Sequence, residues 1–102
     1  MITSIDSQER LKQILDNDEV KVVEFYATWC PACDSFAQQI EKVSSENPKI
    51  KFYKVDLDKV KSARKEFSIN SVPTLCLYKG RIKKSFVVGT DYIELGKKIK
   101  EL

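Results

Sequence analysis

Two spacings of apolar residues alternate along the chain, and this alternation predicts a mixed α/β fold. Near-continuous apolar runs bounded by turn residues are typical of strands that are covered on both faces of a sheet. Two of the runs lie close enough together to form a hairpin. The predicted strands are Ile2–Ile5, Val20–Ala27, Ile50–Val55, Thr74–Tyr78 and Ile82–Val88, with a Lys79-Gly80 turn between the last two.

Between these runs, apolar residues recur every three or four positions, which is the period of an amphipathic helix. A helix from about Pro31 should end at Asn47-Pro48, because proline does not continue a helix. A short helix is expected from about Asp58. The residues with this spacing are Leu11, Ile14 and Leu15 on one face of the first helix; Phe36, Ala37, Ile40 and Val43, which should face inward; Val60, Ala63, Arg64 and Phe67 in the short helix; and Ile93, Leu95 and Ile99 on the apolar face of the last helix.

Two acidic pairs have the spacing of a capping box and predict where the first and last helices begin. They are Asp6 with Glu9 and Asp91 with Glu94. The complete order is β-α-β-α-β-α-β-β-α. It predicts an α/β fold in which a central mixed sheet, with a C-terminal antiparallel hairpin, carries helices on both faces.

Length and composition indicate one globular domain over residues 1–102. The apolar content is 42%. No apolar run approaches the ~18 residues of a membrane span, and the N-terminus lacks the basic and apolar regions of a secretory signal. We therefore expect a cytoplasmic protein with no membrane partner.

The charge balance is mild, with a net charge of +3. Basic residues gather late in the chain, where a solvated face is expected and a docking surface for an acidic partner is the alternative; they are Lys79, Arg81, Lys83, Lys84, Lys97, Lys98 and Lys100. No basic stripe interleaved with aromatic residues is present, so we expect no nucleic-acid partner.

Three cysteines and no histidine restrict the possible chemistry. The absence of histidine excludes Cys–His hydrolases. Zinc normally takes four ligands, so we expect no metal within one chain, although a metal shared between two chains stays open. Cys76 lies in an apolar strand and is predicted to be inert core.

The segment Trp29-Cys30-Pro31-Ala32-Cys33 carries the strongest chemical signal. A cysteine at a helix N-terminus has its thiolate stabilised by the helix dipole and by unpaired N–H groups. Pro31 suits the first helical position. Cys30 is therefore the predicted nucleophile for a disulfide, and Cys33, one turn later and deeper, is the predicted resolving thiol.

Four segments resemble the thioredoxin family over nearly the whole chain: Phe25-Tyr26-Ala27-Thr28-Trp29-Cys30, Lys54-Val55-Asp56, Ser71-Val72-Pro73-Thr74 and Gly89. The resemblance implies the thioredoxin fold and reduction of protein disulfides through a mixed disulfide. It implies a monomer with no bound cofactor. Reducing equivalents would come from NADPH through a thioredoxin reductase.

The resemblance also assigns roles around the cysteines. Glu24 stands in an apolar strand, where burial raises the pKa of a carboxyl, and would relay a proton to or from Cys33. Lys54 would be its partner, and the Val72–Pro73 bond would be cis. The expected substrate-binding residues are Trp29, Pro31, Val72, Pro73, Thr74 and Gly89.

Three departures from the family pattern leave alternatives open. The cysteines enclose Pro31-Ala32 where most thioredoxins have Gly-Pro, Asp34 stands where a basic residue is usual, and Gln38 replaces a frequent proline. A more oxidising thiol oxidase, isomerase or glutaredoxin-like protein is the first alternative. A non-catalytic binding module of the same fold is a more distant one.

Overall fold

A computed structural model describes the whole chain, Met1–Leu102. It has the predicted alternation of strands and helices, and no helix combines the length and hydropathy of a membrane span. The strands are β1 (Ile2–Ile5), β2 (Val20–Tyr26), β3 (Lys51–Asp56), β4 (Thr74–Lys79) and β5 (Ile82–Val88). The helices are α1 (Gln8–Leu15), α2 (Pro31–Glu46), α3 (Ala63–Glu66) and α4 (Tyr92–Lys100).

The five strands form one mixed sheet in the order β1-β3-β2-β4-β5. β3 pairs in parallel with β1 and β2, whereas β4 is antiparallel to both β2 and β5. In this register Phe25 lies beside Val55 on one side and Thr74 on the other. The ends of β2 and β3 and the start of β4 therefore meet at one edge, as the predicted fold requires.

Each face of the sheet covers its own apolar core. Phe25, Val55 and Cys76 pack with α1 and the α3 segment, and Val22 and Leu75 pack with α2 and α4. Burying one such large side chain contributes about 1.5–3 kcal/mol. The two cores hold the sheet rigidly between helices.

Of the two helix starts predicted from capping boxes, one is confirmed and one is wrong. Asp91 caps α4 as predicted, since its carboxylate accepts the Glu94 N–H. The cap of α1 is Ser7, whose hydroxyl accepts the N–H of Arg10 at 3.1 Å, so the prediction of Asp6 as the cap was wrong. Serine and aspartate are about equally good N-caps, so the spacing alone did not show which of the adjacent residues Asp6 and Ser7 caps α1.

The predicted helix from Asp58 was wrong in length, because α3 starts only at Ala63. The backbone N–H groups of Lys59 and Val60 both turn back to the Asp56 carbonyl, and the Asp58 N–H donates to the Asp56 carboxylate. These bonds hold residues 57–60 in turns.

Two residues predicted to lie on an inward or apolar helix face are exposed: Ala37 and Ile93. Each helical residue is rotated by about 100° from the last, so Ala37 turns outward next to the buried Phe36, and Ile93, two residues before the buried Leu95, lies about 200° away on the opposite face. The hairpin turn also lies one residue later than predicted. Lys79 ends β4, and Gly80 turns the chain with a φ of +63°.

Lys21 is a buried lysine that the sequence did not reveal. Its ammonium donates to Asn17 Oδ1 at 2.7 Å and to the Gly80 carbonyl at 2.9 Å. Burial lowers the pKa of Lys21. The side chain joins the turn before β2 to the β4–β5 turn, at the end of the sheet opposite the cysteine pair.

Candidate active site

Cys30 forms the N-cap of α2, as the sequence predicted. Its backbone is extended, with φ −97° and ψ 105°, and Pro31 is the first helical residue. The Cys33 N–H donates to Cys30 Sγ at 3.1 Å. A backbone donor and the positive end of a 16-residue helix therefore point at one sulfur.

Cys33 lies one turn later in the same small cluster, which Ala27 completes and against which Tyr26 and Val72 pack. Cys30 and Cys33 are both only 4% exposed, so the expectation that Cys33 lies deeper is not met at the level of whole residues. The two thiols differ in their surroundings instead. Burial, and then the hydrogen bond with Cys30, raise the pKa of the Cys33 thiol.

The Val72–Pro73 peptide bond is cis, as the resemblance implied, and the loop around it touches the nucleophile. Cys30 Sγ lies 3.8 Å from the Val72 carbonyl oxygen. The Pro73 carbonyl accepts the Gly89 N–H at 2.8 Å, and the Thr74 hydroxyl donates to Ser71 O at 2.8 Å. Within the chain, the Val72 N–H donates to no group.

The predicted binding residues divide into two groups. Trp29 is 64% exposed, Pro31 is exposed and Val72 and Gly89 are half-buried. Pro73 and Thr74 are buried, so their side chains shape the loop and do not form its surface. The contact of Tyr26 with the cysteines escaped sequence reasoning, because an aromatic residue in a strand predicts packing alone.

Glu24 is a carboxyl buried in the central strand, with 6% of its surface exposed. Burial raises its pKa from the ordinary 4.5 to about 7, and the positive charge of Lys54 opposes that rise. Lys54 is the register partner of Glu24 on β3, as expected. The two side chains form no ion pair, and the Lys54 ammonium lies over the Tyr26 ring, 5.6 Å from its centroid.

Replacement of Lys54 by glutamine is expected to raise the pKa of Glu24 further, because the only opposing charge is lost. NMR titration of the Glu24 side-chain carboxyl carbon measures this pKa directly. Lys51→Gln is the matched control, since Lys51 is an exposed lysine at the start of the same strand. A Glu24 midpoint that is the same in all three proteins would contradict the assigned influence of Lys54.

Cys76 lies apart from the active pair, in the core on the α1 side of the sheet. It is 2% exposed, and burial raises the pKa of its thiol. This environment fits the predicted inert core residue. No group of three or more metal-ligating side chains occurs in the structure.

Comparison with known proteins decides the family. A protein-family model described as thioredoxin matches residues 2–101. The chain belongs to the thioredoxin family. Thioredoxin-1 of Saccharomyces cerevisiae is 34% identical over 91 residues, which cover 89% of this chain and 88% of that protein. The thioredoxin of Malassezia sympodialis is 37% identical, covering 85% of each chain.

Solved thioredoxin structures have the same fold. The crystal structure of thioredoxin from Trypanosoma brucei brucei superposes with a TM-score of 0.94 at 26% identity, over 99% of this chain and 89% of that one. Together these matches make the chain a thiol–disulfide oxidoreductase of the thioredoxin family and do not favour the alternative functions.

Proposed function

We propose that this protein reduces disulfides in other proteins by a dithiol mechanism, with Cys30 as the nucleophile. The observation that supports this most strongly is the cap geometry, in which Cys30 Sγ accepts the Cys33 N–H at 3.1 Å. The Val72 N–H, which has no partner in the chain, is available to an extended substrate segment beside that sulfur.

In the first step the Cys30 thiolate attacks one sulfur of the substrate disulfide. The substrate S–S bond breaks, a Cys30–substrate mixed disulfide forms, and the other substrate sulfur leaves as a thiolate that takes a proton from water. Trp29 and Pro31 provide apolar surface beside the reacting sulfurs.

In the second step Cys33 resolves the mixed disulfide. Its raised pKa keeps it protonated until a base accepts the proton. Glu24, with a pKa of about 7, is suited to take that proton near neutral pH. The Cys33 thiolate then attacks Cys30 Sγ and releases the reduced substrate. Two electrons have passed to the substrate, and Cys30 and Cys33 are joined as a disulfide.

The remaining assignments complete the proposal. NADPH, acting through a thioredoxin reductase, returns the two electrons to the Cys30–Cys33 disulfide. The chain works as a monomer without a resident cofactor, and its compartment is the cytoplasm, where thiols are kept reduced. The positive charge of Lys54 lowers the pKa of the Glu24 carboxyl and so opposes the effect of burial.

Insulin reduction by dithiothreitol tests the proposed activity. We expect the protein to accelerate insulin precipitation, Cys30→Ser to abolish the acceleration, and Cys76→Ser to retain it. A reduction potential of about −270 mV for the Cys30–Cys33 couple, measured by equilibration with glutathione, would agree with a reducing role. No acceleration over dithiothreitol alone, or a potential of about −200 to −120 mV, would contradict the proposal.

A further inference from the structure

An apolar groove of about 420 Å³ opens beside the active-site loop and is not used by the mechanism above. Ser71 and Thr74, which flank Val72 and Pro73, line its near end. Its apolar lining is Phe67, Ile69, Cys76, Phe86 and Val88, of which Phe86 and Val88 are more than half exposed. A side chain bound near Cys30 could therefore continue directly into this groove.

A basic surface adjoins the groove across the shared residues Ser68, Ile69 and Asn70. Its other members are Lys61, Arg64 and Lys65, and no carboxylate lies among the residues that line it. None of these three cations forms an ion pair. Glu66, the nearest acid in sequence, lines a different groove with Lys12 and Arg81.

Three other cationic side chains, unlike Lys61, Arg64 and Lys65, are paired with carboxylates. Arg81 pairs with Asp16 at 2.7 Å, Lys59 pairs with Asp6, and Lys98 pairs with Glu94. The surface of Lys61, Arg64 and Lys65 therefore keeps its positive charge. Lys83 adds a further cation on the wall of the groove, above the Phe86 ring.

The basic surface lies within reach of a substrate held at Cys30. Arg64 Nη1 donates to the Ile69 carbonyl at 3.4 Å, and the Val72 carbonyl lies 3.8 Å from Cys30 Sγ. Three residues span at most about 11 Å, so the guanidinium lies no more than about 18 Å from the sulfur. About five residues of an extended substrate cover that distance.

We propose that this protein prefers disulfide substrates that carry carboxylates within about five residues of the attacked cysteine and an apolar side chain between them. The carboxylates face Lys61, Arg64 and Lys65, and the apolar side chain occupies the groove. This inference rests on the proposed function and names the substrate class of the same site. Opposite charge speeds the encounter and selects the partner.

Stopped-flow reduction of synthetic disulfide peptides tests the preference, with oxidation followed by the fluorescence of Trp29. Three peptides share one disulfide and one nearby leucine, and differ only in three flanking residues: glutamate, glutamine or lysine. At low salt we expect the glutamate peptide to react about tenfold faster than the glutamine peptide. The ratio should approach one in 0.5 M salt, because salt screens exposed charges.

A pair of variants with equal net charge localises the effect. Lys61→Gln/Lys65→Gln leaves the Arg64 bond to Ile69 intact and should reduce the glutamate preference about fivefold. Lys97→Gln/Lys100→Gln removes two exposed lysines of α4, and should keep the preference. Both should reduce the uncharged bis(2-hydroxyethyl) disulfide at the parent rate.

The outcomes separate the inference from the function on which it rests. Equal rates with all three peptides, or an equal loss of preference in both double variants, would overturn the inference and leave the oxidoreductase intact. Failure to reduce any disulfide, including bis(2-hydroxyethyl) disulfide, would overturn the proposed function and this inference with it.

Discussion

Replacement of Cys33 by serine is expected to stop turnover and to leave the protein covalently joined to its substrate. Cys30 keeps its place at the helix N-terminus, and serine still supplies the backbone N–H that donates to Cys30 Sγ. The first attack therefore proceeds. The second step is blocked, because the variant has no thiol held beside the mixed disulfide. A thiol from solution attacks the mixed disulfide much more slowly than a thiol already positioned next to it.

The covalent complex can be measured without an added reductant. Reduced Cys33→Ser protein is mixed with oxidised insulin, quenched with acid and separated on a non-reducing gel, and mass spectrometry then locates the adduct on Cys30. The rate of substrate release should fall by at least about 100-fold. Dithiothreitol should reduce the mixed disulfide and release the substrate.

Two cysteine variants serve as controls for this experiment. Cys76→Ser should release substrate at the parent rate, since Cys76 is only 2% exposed where it borders the groove and lies in the core on the α1 side, apart from the cysteine pair. Cys30→Ser should form no adduct. Full turnover by Cys33→Ser, or an adduct on Cys76, would show that the two-cysteine mechanism is wrong.

Replacement of Glu24 by glutamine is expected to stabilise the reduced protein by about 3 kcal/mol at pH 8. The pKa of Glu24 is about 7 in the folded chain and 4.5 ordinarily, because the ionised carboxyl is deprived of water. A raised carboxyl pKa means that the unfolded state loses its proton first. Stability from this group is therefore complete below about pH 4.5, falls as the pH rises to 7, and stays low above it.

Urea unfolding of the parent and Glu24→Gln at pH 4.5 and pH 8 measures this dependence. The variant should gain stability over the parent only at the higher pH. Glu66→Gln is the matched control, because Glu66 is exposed and forms no ion pair. The same difference in free energy of unfolding at both pH values would refute the assigned pKa of Glu24.

The same Glu24→Gln variant should slow the resolving step by about 100-fold or more, which is the usual contribution of a positioned base. The first attack by Cys30 should keep its rate. Greater stability together with slower resolution would identify Glu24 as a group retained for the reaction at the expense of the fold. An unchanged resolving rate would remove Glu24 from the mechanism.

Sequence reasoning succeeded where the covalent structure of a residue, above all proline, fixes where a helix begins or ends. Pro31 and Asn47-Pro48 bound a helix whose observed range, Pro31–Glu46, is the predicted one. Proline fixes φ and lacks an N–H, so it acts in the same way in every tertiary context. The capped Cys30 followed from this boundary, and so did the placement of Cys33 one turn behind it.

Predictions failed where several polar groups can accept hydrogen bonds from the same backbone N–H groups. The Asp56 side chain and carbonyl hold residues 57–60 in turns, and nothing in the local spacing distinguishes this from a first helical turn. Val72, which packs against the cluster of Cys30 and Cys33, lies 42 residues after Cys30, so its contact is not visible in the local spacing. The basic surface beside the groove depends on which cations find carboxylates, which only the fold determines.

The buried ammonium of Lys21 limits where foreign peptide can be inserted into this small scaffold. It is bonded to the Gly80 carbonyl, and the Gly80 N–H donates to Glu19 O at 3.0 Å, so the hairpin tip is fastened on both sides. Splitting that tip would deprive a buried charge of an acceptor. The exposed Pro48 and Lys49, past the end of α2, carry no such tie and are the better point for a tag or a reporter.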